Sequence, residues 1–102
     1  MPRKSLYVSE DSGRYYVYLA RCANGTFYVG YTRNLGRRIA SHNAGYGGRY
    51  TRANRPLSLV AAWPFNSREE AMQAERCLKR LPHERKRKLA EATTFIQEKV
   101  HG

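Results

Sequence analysis

The feature that most limits what this chain can fold into is a pair of tyrosine-rich runs joined by Asn24-Gly25. Tyr15 to Cys22 (YYVYLARC) alternates aromatic and β-branched residues with smaller ones, and Thr26 to Tyr31 (TFYVGY) continues in the same manner. Rings and Cβ branches fit a pleated surface and crowd a helix, so both runs are expected to be strands. Asn-Gly is the strongest short hairpin signal, because the two-residue turn needs positive φ at both central positions. A tight antiparallel hairpin with tyrosines on both arms is therefore the expected centre of the fold.

The second arm leads straight into charged residues. Tyr28-Val29-Gly30 opens the stretch YVGYTRNLGRRIASHN, in which Thr32 or Asn34 can cap a helix of roughly Leu35 to Asn43. Leu35 and Ile39, four apart, face inward, while Arg38 and His42, also four apart, share a neighbouring face. The stretch thus offers a phenol, a guanidinium and an imidazole, with no carboxylate. Such a set can bind a phosphate and move a proton beside it. Ala44 to Tyr50, with three glycines, two tyrosines and one arginine, reads as a flexible cationic loop able to stack on bases.

Beyond the Arg55-Pro56 break, Leu57 to Trp63 (LSLVAAW) is the third expected strand. Ser67 and Glu70 form a capping box for a second helix, with Ala71, Ala74, Leu78 and Leu81 as its apolar face and Glu75 beside that face, partly exposed. Pro82 interrupts, and His83 to about Lys99 makes a third, very basic helix. The order ββα–β–αα predicts an α/β fold: a small three-stranded antiparallel sheet flanked by helices. Residues 1–13 read as a flexible lead-in and 14–102 as one domain.

Charge narrows the partner. Lys plus Arg number 19 against 8 Asp plus Glu, giving a formal charge of +11. No acidic residue occurs between Asp11 and Glu69, where nine arginines fall. That excess costs self-repulsion and is usually tolerated because the partner is a polyanion, so a nucleic acid is the expected partner, with a ribosomal-type basic protein without chemistry as the alternative that charge alone leaves open. Arg37, Arg49, Tyr50, Arg52, Lys79, Arg85, Lys86 and Arg87 are the expected nucleic-acid contacts. Cys22 and Cys77 have no zinc-ligand spacing with the histidines and read as buried thiols in a reducing cytoplasm. No apolar run reaches membrane-spanning length, and no membrane association is expected.

Phosphodiester hydrolysis needs an activated water, positive charge on the phosphate and help for the leaving oxygen. Arginine supplies the second by bidentate contact with phosphate oxygens. A divalent cation can supply the third through one carboxylate, since Mg²⁺ keeps most of its waters. Glu69, Glu70 and Glu75 are the first acids after the long gap, and Glu70 is taken by capping, which limits the chain to a one-carboxylate, one-metal site. The proton acceptor comes from the tyrosines or from His42.

At these residues the chain resembles the GIY-YIG nuclease superfamily, in particular its short stand-alone bacterial members. The second signature stands as Tyr28-Val29-Gly30 and the first as Tyr16-Val17-Tyr18, with Tyr16 in place of its glycine. Tyr18 lies ten residues before Tyr28, and Arg38 lies ten after it. The resemblance implies a metal-dependent endonuclease acting on DNA in repair or processing. Tyr28 or His42 would help deprotonate the attacking water and Tyr18 would orient that group. Arg38 would hold the scissile phosphate and Glu75 would bind Mg²⁺ or Mn²⁺. The chain departs from some members at Tyr31, where they carry lysine, and at Arg85 to Lys88, where they carry an asparagine. The competing expectation is a nucleic-acid-binding module with the same scaffold and little or no catalysis. A third is a subunit that relies on an unidentified protein partner to present DNA.

Overall fold

A computed structural model describes residues 13–101, with side chains as far as residue 92. The lead-in expected over residues 1–13 lies, except for Gly13, outside the described residues. Three strands form one antiparallel sheet: β1 (Tyr15–Arg21), β2 (Phe27–Thr32) and β3 (Ser58–Phe65), in the order β2-β1-β3. The central place goes to β1, whose Val17, Tyr18, Leu19 and Ala20 are all buried. Pro64, which has no N–H to give a ladder, falls near the end of the edge strand β3. The register sets Tyr18 opposite Gly30 on one side and Ala62 on the other, with an irregularity between Leu19 and Ala20.

Alternation along the strands divides the core between two faces. Val17, Leu19, Val29 and Ala61 pack under α3 (Arg68–Arg80) and α4 (His83–His101), meeting Ala71, Leu78 and Ala90. Tyr18 and Ala20 point the other way, where Leu35 and Ile39 of α1 (Leu35–Ser41) and Leu57 complete a second cluster. The sheet is thus sandwiched between helices. The apolar face expected on α3 is the one it buries, with Ala74 and Leu81 packed at its margin.

Caps start the helices where the side-chain chemistry predicts. Asn34 is the N-cap of α1, its Oδ1 accepting from the Arg37 N–H at 3.0 Å, while the Thr32 hydroxyl accepts from the Asn34 N–H at 3.2 Å. An N-cap of this type is worth about 1 kcal/mol. Ser67 caps α3 through the Glu70 N–H at 3.1 Å, and Glu70 reaches back to the Asn66 N–H at 3.3 Å, one residue beyond the usual box.

Three expectations are corrected. The hairpin is not a two-residue turn. Cys22 C=O accepts from Gly25 N–H and Cys22 N–H donates to Thr26 C=O, which makes a three-residue loop. Only Gly25, at φ +88°, lies in the left-handed region, and Asn24 instead turns its Oδ1 to the Thr26 N–H and hydroxyl. The stretch read as a flexible loop is ordered into a wide π-type turn, His42–Tyr46, followed by a short helix α2 (Arg49–Ala53). Gly45, at φ +97°, breaks the helical path inside the turn. Cys77, expected to be buried, is exposed, whereas Cys22 is buried.

Candidate active site

The site begins with a glycine that leaves room for a phenol. Tyr18 and Gly30 are cross-strand partners, and a Cβ built on Gly30 would lie 2.6 Å from the Tyr18 hydroxyl oxygen. The missing side chain lets the Tyr18 ring lie over the β2 backbone, wholly buried. Tyr28, two residues earlier on the same face of β2, is half-buried, with its ring centroid 6.2 Å from that of Tyr18. Of the two phenols, Tyr28 alone keeps contact with solvent.

Helix α1 brings the cation and the imidazole. Its axis carries Arg38 and, one turn later at its C-cap, His42, whose N–H bonds back to the Arg38 and Ile39 carbonyls. The Arg38 guanidinium lies beside the Tyr18 and Tyr28 hydroxyls, and these contacts raise its already high pKa. His42 is fully buried, its ring 5.1 Å from that of Tyr28 and edge-on to it. Its Nε2 is 3.1 Å from the Tyr18 hydroxyl and its Nδ1 is 3.2 Å from the Thr51 hydroxyl. Burial, and secondarily the Arg38 charge, push the imidazole below its ordinary pKa, so it stays neutral at neutral pH. Burial likewise pushes the Tyr18 phenol up to about 12, with Arg38 opposing the rise. Next to these groups a polar cleft of about 350 Å³ is lined by Thr32, Arg33, Asn34, Arg37, Arg38 and Ser41.

Glu75 stands at the margin of this group. It comes from α3, its side chain is 18% exposed, and its charge is the weakest of the influences acting on the Tyr18 phenol. Its ion partner is Lys79, one turn on, at 3.6 Å. Among the described residues no group of three or more His, Cys, Asp or Glu side chains could enclose a metal. The donor set therefore fits a cation that keeps most of its water, not a fully caged one.

The outlying cations are dispersed. Arg37 is exposed at the cleft, and Arg49 and Arg52 are exposed on α2. Tyr50 is 49% exposed, yet its hydroxyl is bound to Thr26 Oγ1 at 2.6 Å and Asn24 Nδ2 at 3.1 Å, fastening α2 to the hairpin loop. On α4, Arg85 is exposed, Lys86 donates to the Lys79 carbonyl at 3.3 Å, and Arg87 is paired with both Glu84 and Glu91. The basic run of α4 is thus partly neutralised within its own helix.

Sequence reasoning passed over Thr51 and Gly47. Thr51 is buried against His42, and a Cβ on Gly47 would overlap both His42 Nδ1 and Thr51 Oγ1. A five-residue helix capped by Gly48 gives no periodic signal, so the threonine had no visible context.

Two tyrosines from facing strands, with an arginine and a histidine from the following helix, define a hairpin-centred α/β domain that gathers its polar groups on one face of the sheet. The GIY-YIG catalytic domain model matches residues 14–88. The chain belongs to the GIY-YIG family of nucleases. It is 51% identical over 65 residues to a UPF0213 protein of Streptococcus pneumoniae, a match spanning 64% of this chain and just under two thirds (66%) of that protein. A UPF0213 protein of Staphylococcus haemolyticus is 42% identical over 78 residues, 76% of this chain and 95% of its own length, so that relative is a short, stand-alone protein. The solution NMR structure of a UPF0213 protein from Bacillus halodurans is similar, at 43% identity and a TM-score of 0.50, covering 78% of this chain and 84% of that one. So is that of a protein from E. faecalis, at 34% identity and 0.56, covering 81% and 88%. Among the described residues no helix is long and apolar enough to cross a membrane.

Proposed function

We propose that this chain is a metal-dependent endonuclease that hydrolyses phosphodiester bonds in DNA, acting in repair or processing in the cytoplasm. The observation that carries the reading is the meeting of Tyr18, Tyr28, Arg38 and His42 on one face of the hairpin, beside an arginine-lined cleft. Each residue has a distinct part. Arg38 and Arg37 face the cleft as donors for phosphate oxygens, and Arg38 holds the charge that grows as the bond breaks. Tyr28, the phenol in contact with solvent, would act as base in its phenolate form: its own proton goes to solvent before the phenolate oxygen takes one from the attacking water. His42 has no solvent contact and acts through the Tyr18 hydroxyl, not on water directly. Tyr18 orients Arg38 from beneath.

Glu75 would hold a hydrated Mg²⁺ or Mn²⁺, a cation able to offset charge on the leaving oxygen. Competition from Lys79 is limited, because its ammonium is largely exposed and stands 3.6 Å from the carboxylate. Arg49, Arg52, Lys79, Arg85, Lys86 and, less strongly, Arg87 add phosphate-backbone attraction, and Tyr50 adds a face for stacking. Their electrostatic part should fall steeply with salt.

The test is cleavage of labelled single-stranded, duplex and branched DNA with Mg²⁺, Mn²⁺ or EDTA. The reading requires cutting that depends on the divalent ion. Salt-sensitive binding without cutting of any substrate would favour a binding module on the same scaffold.

A further inference from the structure

The mechanism above uses His42 only through Tyr18, which makes the direction of their hydrogen bond decisive. We propose that Thr51 is a positioning residue that fixes His42 in the Nδ1–H tautomer, so that Tyr18 donates to His42 and turns its oxygen lone pairs toward Arg38. The proposal rests on the nuclease reading only for its kinetic consequence.

Two ends of the chain of bonds point the same way. At one end, the Thr51 hydroxyl donates to the Gly48 carbonyl at 3.1 Å, and a carbonyl can only accept. With its single hydrogen used there, the Thr51 oxygen is an acceptor toward His42 Nδ1, 3.2 Å away. Nδ1 must then carry the proton. At the other end, the Arg38 guanidinium beside Tyr18 has donors and no acceptor. The Tyr18 hydrogen therefore cannot serve Arg38, and the His42 Nε2, 3.1 Å away, takes it. Both ends require a bare Nε2 and a protonated Nδ1. Because imidazole and threonine are buried and Gly47 packs directly over their contact, water has no room to replace the hydroxyl.

In the opposite tautomer the Nε2–H would occupy the Tyr18 oxygen and turn the phenol hydrogen outward, donor facing donor at Arg38. The arginine would lose its support beneath the cleft. Binding of DNA, which other cations share, would change little.

The test joins ring-nitrogen NMR with kinetics. In ¹⁵N-histidine-labelled parent protein at neutral pH, His42 should show a protonated Nδ1 and a bare Nε2. A protonated Nε2 in the parent overturns the proposal, whether or not any variant folds. Thr51→Val keeps the shape and removes the hydroxyl, so the spectrum should shift toward Nε2–H. In the same variant kcat should fall about tenfold or more with KM nearly unchanged. Thr51→Ser should restore both tautomer and rate. In a Tyr18→Phe background Thr51→Val should cost little further, since the hydroxyl it acts through is gone. An unchanged tautomer in Thr51→Val, or an unchanged kcat despite a changed tautomer, contradicts the assignment. If the parent cuts no DNA while the tautomer follows Thr51 as described, the nuclease reading fails and the tautomer assignment stands.

Discussion

Replacing Gly30 with alanine adds one carbon at the point where the hairpin is packed tightest. Glycine to alanine in a strand ordinarily stabilises by about 0.4–1 kcal/mol, because the unfolded chain loses freedom. Here the sign should reverse. The new Cβ would lie 2.6 Å from the Tyr18 hydroxyl oxygen, 2.8 Å from Cζ and 3.1 Å from Cε2, against ordinary contact from 3.4 Å upward. The phenol end must move by about 0.8 Å to clear it. Tyr18 is wholly buried, with the Tyr28 and His42 rings nearby, so the ring has no open side. A displacement of that size is large enough to spoil the 3.1 Å hydrogen bond to His42. Overpacking costs about 1–3 kcal/mol and the lost bond about 1 kcal/mol more. Gly30→Ala should therefore be about 2–4 kcal/mol less stable in urea unfolding and cut DNA roughly a hundredfold more slowly, the usual penalty for misplacing a site by an ångström. In a Tyr18→Phe background the stability penalty should shrink by about 1 kcal/mol without vanishing, because Cζ still crowds the new carbon. A Gly30→Ala protein with parental stability and parental cleavage would refute this account of the glycine.

Two further outcomes follow from the same geometry. Burial raises the Tyr18 phenol to about 12 from an ordinary 10, so the folded chain holds a proton that the unfolded chain releases first. That contribution is complete below pH 10 and is lost as pH rises through about 12. It amounts to about 3 kcal/mol in urea titrations, and the Tyr18→Phe protein should lack it. Tyr28→Phe keeps the ring and should abolish cleavage with little loss of stability, whereas His42→Ala should leave some cleavage and also destabilise, since it empties a buried site. A nearly active Tyr28→Phe beside an inactive His42→Ala, compared on folded protein, would reverse the choice of base.

The strands, caps and helices were legible because their signals are local. Asn34 and Ser67 cap the helices they precede, and the apolar spacing of α3 names the face it buries. The pairing of Arg38 with His42 came from helical spacing alone and holds through the end of α1. What escaped was tertiary. Asn24 could have taken positive φ, but its side chain found Thr26, and a three-residue loop resulted. The segment after His42 looked like a loop because its order depends on distant partners. Asn43 is clasped by the Leu57 backbone at 2.7 and 3.0 Å, Tyr50 by Thr26, and Thr51 by His42. Composition also overstated the basic helix, since Arg87 faces two glutamates within one turn on either side.

In the proposed reaction one arginine and one metal-holding carboxylate divide the phosphate chemistry between them. Cleavage rate and DNA affinity, taken side by side in Mg²⁺ and in EDTA for the parent, Glu75→Gln and Arg38→Ala, separate the two roles. Glu75→Gln keeps size and helix propensity and removes a negative charge, so it should bind DNA at least as tightly and fail to cut. Arg38→Ala should lose about 10²–10³ in rate, as expected for a preorganised charged donor, while its affinity falls far less. Parental cleavage by Glu75→Gln in Mg²⁺, unaffected by EDTA, would contradict the metal-dependent account.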